Sequence, residues 1–231
     1  FHTVLTVIKI SQMFVVSAVL WAGLTLTPLH AASLGLFTEH SDLGSPKNPG
    51  GAAYDDAKQE YTLTASGANM WAARDEFHFL RKKMKGDFIL QAQVELIGQG
   101  TDPHRKLGWM VRKSLDDDSP YADAAVHGDG LTSLQFRKTK GAITEQVQSA
   151  IKGPNVIQLE RKGTKFIFSA AHAGEVFTNC ELPELDLGDD VFVGLFLCSH
   201  NSNVVEKAVF RNVRIITPAR ADFTPYRDYI G

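Results

Sequence analysis

Apolar residues recur at every second position along much of this chain, in runs that Gly, Asp, Asn and Pro interrupt. Residues 87–97 show the pattern most clearly, because apolar side chains from Phe88 to Leu96 alternate with the polar Gln91, Gln93 and Glu95. Successive side chains of a β-strand point to opposite faces, so this period predicts strands with one buried face. No stretch carries a convincing long helical period, and the chain is therefore expected to be all-β.

Further runs predict strands over 107–113, 121–127, 132–137, 142–149, 155–161, 164–171, 175–182, 191–199 and 204–216. The tract His127-Gly-Asp-Gly130 joins two of them and predicts a hairpin. Residues 191–199 are apolar on both faces, as in a central strand, and the last strand is expected to be bulged near Asn212. Trp109 is expected in the core. About a dozen short strands predict a two-sheet antiparallel jelly-roll sandwich.

The two ends of the chain differ from this pattern. Lys9, the apolar run 13–24 and small residues near Ala31 and Ala32 predict a secretory signal peptide over 1–32. A membrane anchor is the alternative, although the apolar run is shorter than the ~20 residues that span a bilayer. The sandwich is expected over 33–217, and 218–231 as a linker or tail. We therefore predict a secreted or periplasmic protein without a membrane span after signal removal.

The net charge limits the possible partners, and the cysteine content limits the possible cross-links. The formal net charge is −2, and no basic stripe of the kind that binds phosphates is present, which argues against a nucleic-acid partner. The densest basic run, 81–85, is expected in a turn leading into a strand. Cys180 and Cys198 lie in apolar strand patterns, and both a disulfide and two buried thiols remain open.

The candidate ligand site consists of polar residues that alternate with the apolar ones on the middle strands. If these strands are neighbours, their outward side chains form one exposed patch suited to a polyhydroxylated ligand. The six candidate ligand-binding residues are Arg112, Tyr121, Asp123, His127, Gln135 and Arg137. Trp71 is expected near the rim with Tyr121, and the patch is extended to Gln91, Gln93 and Glu95. The alternative is a solvated sheet face with weak ion pairs.

Three polar segments outside this patch were weighed as sites. Residues 102–106 contain Asp102 and His104, which fit a capped turn better than a metal site. Residues 116–118 are three adjacent Asp and fit a solvated acidic loop better than a calcium site. The turn 199–203 is a loop-tip candidate for ligand contact. No paired carboxylates, nucleophile elbow or phosphate loop was found, so no catalytic residue, metal or cofactor is predicted.

Several segments together resemble the concanavalin A-like domain that precedes a TolB-like β-propeller in some secreted or periplasmic bacterial proteins. They are 67–71, 75–79, 102–106, 121–123, 127–137, 193–201 and 205–210, with 127–137 and 198–210 the most specific. The resemblance implies a jelly roll over about residues 34–217. It also implies that the tail 225–231 leads into a propeller.

These observations favour a non-catalytic extracytoplasmic recognition module that binds carbohydrate or an envelope polymer on a polar concave sheet face. One alternative is a glycoside hydrolase or lyase that uses the same face. Another is a structural domain that docks on its own TolB-like propeller. The first hypothesis predicts that Arg137→Ala or Gln135→Ala weakens glycan binding without unfolding the domain.

Overall fold

The computed structural model describes residues 33–218. The predicted signal peptide, 1–32, and all but the first residue of the predicted tail lie outside the described residues. Residues 33–218 form strands, turns and loops without a helix, and so hold no helix long and apolar enough to cross a membrane. The all-β prediction is confirmed.

Fourteen strands run through the described part of the chain. They are β1 (Glu39–Leu43), β2 (Gly51–Asp55), β3 (Glu60–Ala65), β4 (Phe77–Met84), β5 (Phe88–Leu96), β6 (Lys106–Arg112), β7 (Tyr121–His127), β8 (Thr132–Arg137), β9 (Glu145–Gln148), β10 (Val156–Lys162), β11 (Lys165–Ala171), β12 (Thr178–Leu182), β13 (Val191–Cys198) and β14 (Glu206–Ile216).

The strands form two seven-stranded antiparallel sheets, as predicted for a jelly-roll sandwich. The front sheet has the order β1-β4-β13-β6-β7-β8-β9, and the back sheet has the order β12-β11-β10-β5-β14-β3-β2. The hairpin predicted at His127–Gly130 joins β7 to β8. The predicted bulge in β14 is also present, because its register shifts between Arg211 and Arg214 and Asn212 has a φ of 49°.

The main core lies between the two sheets. Leu107, Trp109 and Val111 of β6 pack there with apolar side chains of the back sheet, among them Leu90 and Phe168. Trp109 is fully buried, so its predicted place in the core is confirmed. These positions alternate along each strand, and the opposite set of side chains therefore points away from the back sheet.

A second buried cluster covers the outer face of the front sheet, meaning the face turned away from the back sheet. It contains Phe77, Phe79, Met110 and Phe196, together with Met70 from the loop between β3 and β4. We call that loop, residues 66–76, the capping loop. Because it packs on the outer face, the middle strands β6, β7 and β8 of the front sheet are buried on both sides, and an alternating sequence pattern does not reveal such a cover.

Three sequence-based expectations differ from the structure, and one open alternative is resolved. The strands β1 to β4 were not predicted. The basic run 81–85 begins inside β4, where Arg81 is buried and its guanidinium lies 3.1 Å from the Glu39 carboxylate. Gln91, Gln93 and Glu95 lie on β5 of the back sheet, so they cannot extend a patch on the front sheet. Cys180 and Cys198 are both free and buried, which leaves the buried-thiol alternative.

Candidate functional site

The six candidate ligand-binding residues all lie on the outer face of the front sheet, in adjacent strands. The pairings are Arg112↔Tyr121↔Arg137 across β6, β7 and β8, and Asp123↔Gln135 across β7 and β8. His127 ends β7 and pairs with Lys106. The shared face was predicted, but the predicted exposure is wrong. All six side chains are buried, at 4% exposure or less, because loops cover them.

Three of the six are held by the capping loop. The Asp75 carboxylate accepts hydrogen bonds from Arg112 at 3.0 Å and from Arg137 at 2.7 and 2.8 Å. Arg137 also donates to the carbonyl oxygens of Ala72 and Ser119. A buried carboxylate is stable only when it is paired and hydrogen-bonded, and here two guanidinium groups meet that need.

Tyr121 lies between the two arginines. Its ring centroid is 5.6 Å from the Arg112 guanidinium and 5.1 Å from that of Arg137, distances that give cation–π contact. Its hydroxyl donates to the Met70 carbonyl at 2.7 Å. Burial raises the pKa of Tyr121 well above its ordinary value. The side chains of Arg112, Tyr121 and Arg137 thus bind the capping loop rather than face solvent.

The other half of the face carries a cavity of about 290 Å³. Five lining residues come from the front sheet or from the turn between β7 and β8. They are Lys106, His127, Leu131, Gln135 and Gln146. The paired residues Lys106 and His127 form one row across the sheet. The next row on the same face consists of Gly108, Ala125 and Ser133, side by side across β6, β7 and β8.

Loops supply the remaining wall. The capping loop contributes Asn69 and the half-buried Trp71, while the loop before β6 contributes His104 and the turn after β13 contributes His200. Asp102 joins the last two loops, because its Oδ1 accepts from the His104 backbone at 2.8 Å and lies 3.1 Å from His200 Nδ1. The capped turn predicted at 102–106 is therefore present, and it also orients the cavity wall.

A chain of hydrogen bonds crosses the cavity floor from a cation to a carbonyl. Lys106 Nζ donates to Gln135 Oε1 at 3.3 Å, which leaves the Gln135 amide N–H to face His127 Nε2 at 3.4 Å. His127 Nδ1 lies 2.9 Å from the Leu131 carbonyl and donates to it. His127 Nε2 is then an acceptor. Burial and the nearby Lys106 charge lower the pKa of His127 to about 4, so the ring is neutral at pH 7.

Several buried polar atoms on the same sheet face as the cavity have no hydrogen-bond partner within residues 33–218. They include both carboxylate oxygens of Asp123, Ser133 Oγ and Gln146 Oε1. Burial raises the pKa of Asp123 well above its ordinary value and lowers the pKa of Lys106. Buried polar groups are nearly always satisfied, so these atoms leave hydrogen-bonding capacity unused on this face.

No metal site appears among the described residues. Within 33–218 no three His, Cys, Asp or Glu side chains are arranged to hold a metal ion. The predicted acidic loop 116–118 is bound to Lys140, whose Nζ lies 2.8 Å from Asp116 and 3.5 Å from Asp118. The described cavity wall contains neither Asp nor Glu.

Of the six sequence-based candidates for an exposed patch, two, His127 and Gln135, line the cavity, as does Trp71, which was expected near the rim. Asn69, Lys106, Leu131 and Gln146 were missed as site residues. Lys106 precedes an apolar strand and looks like a flanking surface lysine, and the sequence carries no signal that a distant loop covers it. His104 and His200 were weighed only within their turns.

Solved structures that resemble this chain show its fold. A functionally unknown protein from Saccharomyces cerevisiae matches with a TM-score of 0.57 at 19% identity, over 78% of this chain and 97% of that one. The carbohydrate binding module CBM66 from Bacillus subtilis matches with a TM-score of 0.51 at 13% identity, over 79% and 98%. A GH43 protein from Bacillus licheniformis, BlXynB, matches with a TM-score of 0.54 at 12% identity, over 69% of this chain.

The match spans one third of the Bacillus licheniformis protein, 33% of its length. No protein-family model and no curated protein matches the chain. At these identities the likeness shows the fold alone, a two-sheet antiparallel jelly-roll sandwich.

Proposed function

We propose that this chain is a non-catalytic recognition module that binds a carbohydrate or an envelope polymer in the front-sheet cavity. The observation that carries the proposal is the cavity lining itself, which combines the Trp71 indole with polar groups, among them Gln146, whose Oε1 has no hydrogen-bond partner within residues 33–218. Sugar hydroxyl groups both donate and accept hydrogen bonds, so they can satisfy acceptors such as Gln146 Oε1 and donors such as Lys106 Nζ together.

Trp71 supplies the apolar part of such a site. Its half-buried indole lines the same cavity as the polar groups of Gln135 and His127. Binding sites commonly combine an aromatic surface with a few placed polar groups, and a sugar ring has both an apolar C–H face and polar edges. Because Asp75 and Tyr121 fix the capping loop, the indole is positioned before any ligand binds, which lowers the entropic cost of binding.

The fold supports the proposal by analogy. One structure that resembles this chain is a carbohydrate binding module, and another is a GH43 protein. A shared fold does not fix a function, so the argument depends on the cavity itself.

Catalysis on a polysaccharide is the second candidate, and the neutral imidazole of His127 is the observation in its favour. A neutral imidazole can accept a proton, as lyase and hydrolase reactions require of a base. A two-carboxylate glycosidase is not supported, because the described cavity wall contains no Asp or Glu. Turnover of a polysaccharide panel that is lost in His127→Ala would replace the binding proposal with this one.

Docking on an adjoining TolB-like propeller is the third candidate, and it rests on the sequence resemblance. In that case the cavity would be occluded in a longer protein and would bind no saccharide. Export is part of the preferred proposal, because residues 1–32 have the sequence features of a signal peptide and envelope polymers lie outside the cytoplasm.

The test is binding of the chain to an array of neutral and acidic oligosaccharides, followed by calorimetry on the best binder. Trp71→Ala is expected to weaken binding more than about tenfold, and Gln135→Ala about tenfold, because they remove the aromatic surface and a polar contact. Arg74→Ala, in the same loop but exposed, and Gln158→Ala, on the back sheet, are the matched controls. Unchanged binding in both cavity variants would remove the proposal.

A further inference from the structure

Lys106 places a buried ammonium group at the cavity. The residue is 2% exposed, and the acceptor that the described residues offer its Nζ is Gln135 Oε1 at 3.3 Å. Gln135 lies two rows along the sheet from Lys106, so the lysine stem crosses the row that holds Gly108 and Ala125. An ammonium group has three N–H donors, and this one therefore has donors to spare toward the cavity.

The buried charges on β6, β7, β8 and the capping loop do not balance. Three cations, Lys106, Arg112 and Arg137, face two carboxylates, Asp75 and Asp123. Asp75 is bound by both arginines, and neither oxygen of Asp123 has a hydrogen-bond partner. With Lys106 protonated, one positive charge is uncompensated even when Asp123 is ionised. Burying such a charge is costly, and an anion bound beside it would offset that cost.

Nothing in the described cavity wall repels an anion. The other lining side chains are amides, imidazoles, Leu131 and Trp71. Asp102 lies close to the wall, but its carboxylate is turned to His200 and to the His104 backbone. The anion must also fit beside an indole and several groups that suit hydroxyls, which describes a sugar bearing a carboxylate better than a bare inorganic ion.

We infer that the cavity selects acidic saccharides and that Lys106 binds the carboxylate of a uronic acid residue. The inference rests on the proposed function and names its ligand class. Gln135 and Gln146 then bind ring hydroxyl groups, and Trp71 contacts the sugar face. One ammonium group suits the single negative charge of a carboxylate, and a charge-assisted hydrogen bond is stronger than a neutral one.

The experiment compares matched pairs of trisaccharides. The acidic members are the trimers of galacturonate, glucuronate, mannuronate and guluronate, and each partner is the same trimer with its carboxylates reduced to alcohols. Calorimetry with the chain is expected to show at least one acid that binds about tenfold or more tightly than its reduced partner. Lys106→Met, which keeps the length of the side chain without its charge, is expected to reduce that ratio to near one.

Lys138→Met, at an exposed lysine just after β8, is the control and is expected to leave the ratio unchanged. Near-ultraviolet circular dichroism checks that the variants fold. If Lys106→Met does not fold, Gln135→Glu gives the same test, because it places a carboxylate beside the ammonium and should also abolish the preference.

Equal binding of acid and reduced partner in all four pairs would overturn the inference and leave the saccharide site intact. A preference for acid that persists in Lys106→Met and Gln135→Glu would overturn it as well. Failure of every trimer and of the whole glycan array to bind would instead overturn the proposed function.

Discussion

Arg137 donates two hydrogen bonds to Asp75, of 2.7 and 2.8 Å, and neither side chain reaches solvent. This pair joins β8 of the front sheet to the capping loop. The loop carries Trp71, whose carbonyl also accepts a hydrogen bond from the Thr144 amide. The buried ion pair therefore holds one wall of the cavity in place, although it lies outside the cavity.

Arg137→Ala is expected to destabilise the fold by about 3–5 kcal/mol, because it leaves the buried Asp75 carboxylate short of its main partner. This replaces the sequence-based prediction that the variant binds less ligand without unfolding. Urea denaturation measures the change, with the exposed Arg74→Ala as a control expected to stay within about 0.5 kcal/mol of the parent. A loss below 1 kcal/mol in Arg137→Ala would contradict the structural role.

Tyr121→Phe removes the hydroxyl that donates to the Met70 carbonyl and contacts Thr144 Oγ1 at 2.9 Å. The expected cost is about 1–2 kcal/mol, since a buried carbonyl loses its donor while the ring stays in place. Hydrogen exchange should accelerate in the capping loop more than in β13. Uniform acceleration over the whole sandwich would show that the hydroxyl does not act on the loop.

The buried His127 makes stability depend on pH. Its pKa is about 4 in the folded chain against 6.5 when unfolded, so between these values the unfolded chain binds more protons. The unfolding free energy should therefore fall as pH falls from 6.5 to 4, by up to about 3 kcal/mol from this group. Denaturation at several pH values should show a flatter profile in His127→Gln. Identical profiles would show that the histidine titrates normally.

Asp123 gives the opposite dependence. Burial raises its pKa well above 3.8, so the unfolded chain ionises first and the contribution to stability declines as pH rises above 3.8. Asp123→Asn, which cannot ionise, should gain stability relative to the parent between pH 4 and pH 8. Denaturant titrations at the two pH values measure the gain. If the stability of Asp123→Asn relative to the parent instead decreases as pH rises, Asp123 is ionised and compensated in the folded chain.

The sequence predicted the features that depend on residues close together in the chain, namely strand faces, a hairpin and a bulge. Alternation along β6, β7 and β8 correctly assigned Trp109 to the core and placed Arg112, Asp123 and Gln135 on one shared face. The Gly-Asp-Gly tract located the hairpin, and Asn212 marked the bulge. These features follow from the two-residue period of a strand and from the local demands of turns.

The sequence did not reveal which sheet residues are buried by loops that are distant in the sequence. Alternation shows which side of a sheet a residue occupies, but it does not show whether a loop 40 to 60 positions away lies on that side. Asp75 covers Arg137 from 62 positions away, and this contact turned predicted surface arginines into buried ones. The same cover made Lys106 a cavity residue. The cavity wall likewise draws on loops that are distant in sequence.

The most direct test is a titration of the ¹⁵N-labelled chain with the four uronate trimers and their reduced partners. It is followed through the backbone amide signals and the N–H signals of the Trp and Gln side chains. The account predicts that a binding trimer shifts the Trp71 indole and the Gln135 side-chain amide, while the signal of Trp109, buried between the sheets, stays in place. Shifts confined to the back sheet, or no shift with any trimer, would contradict it.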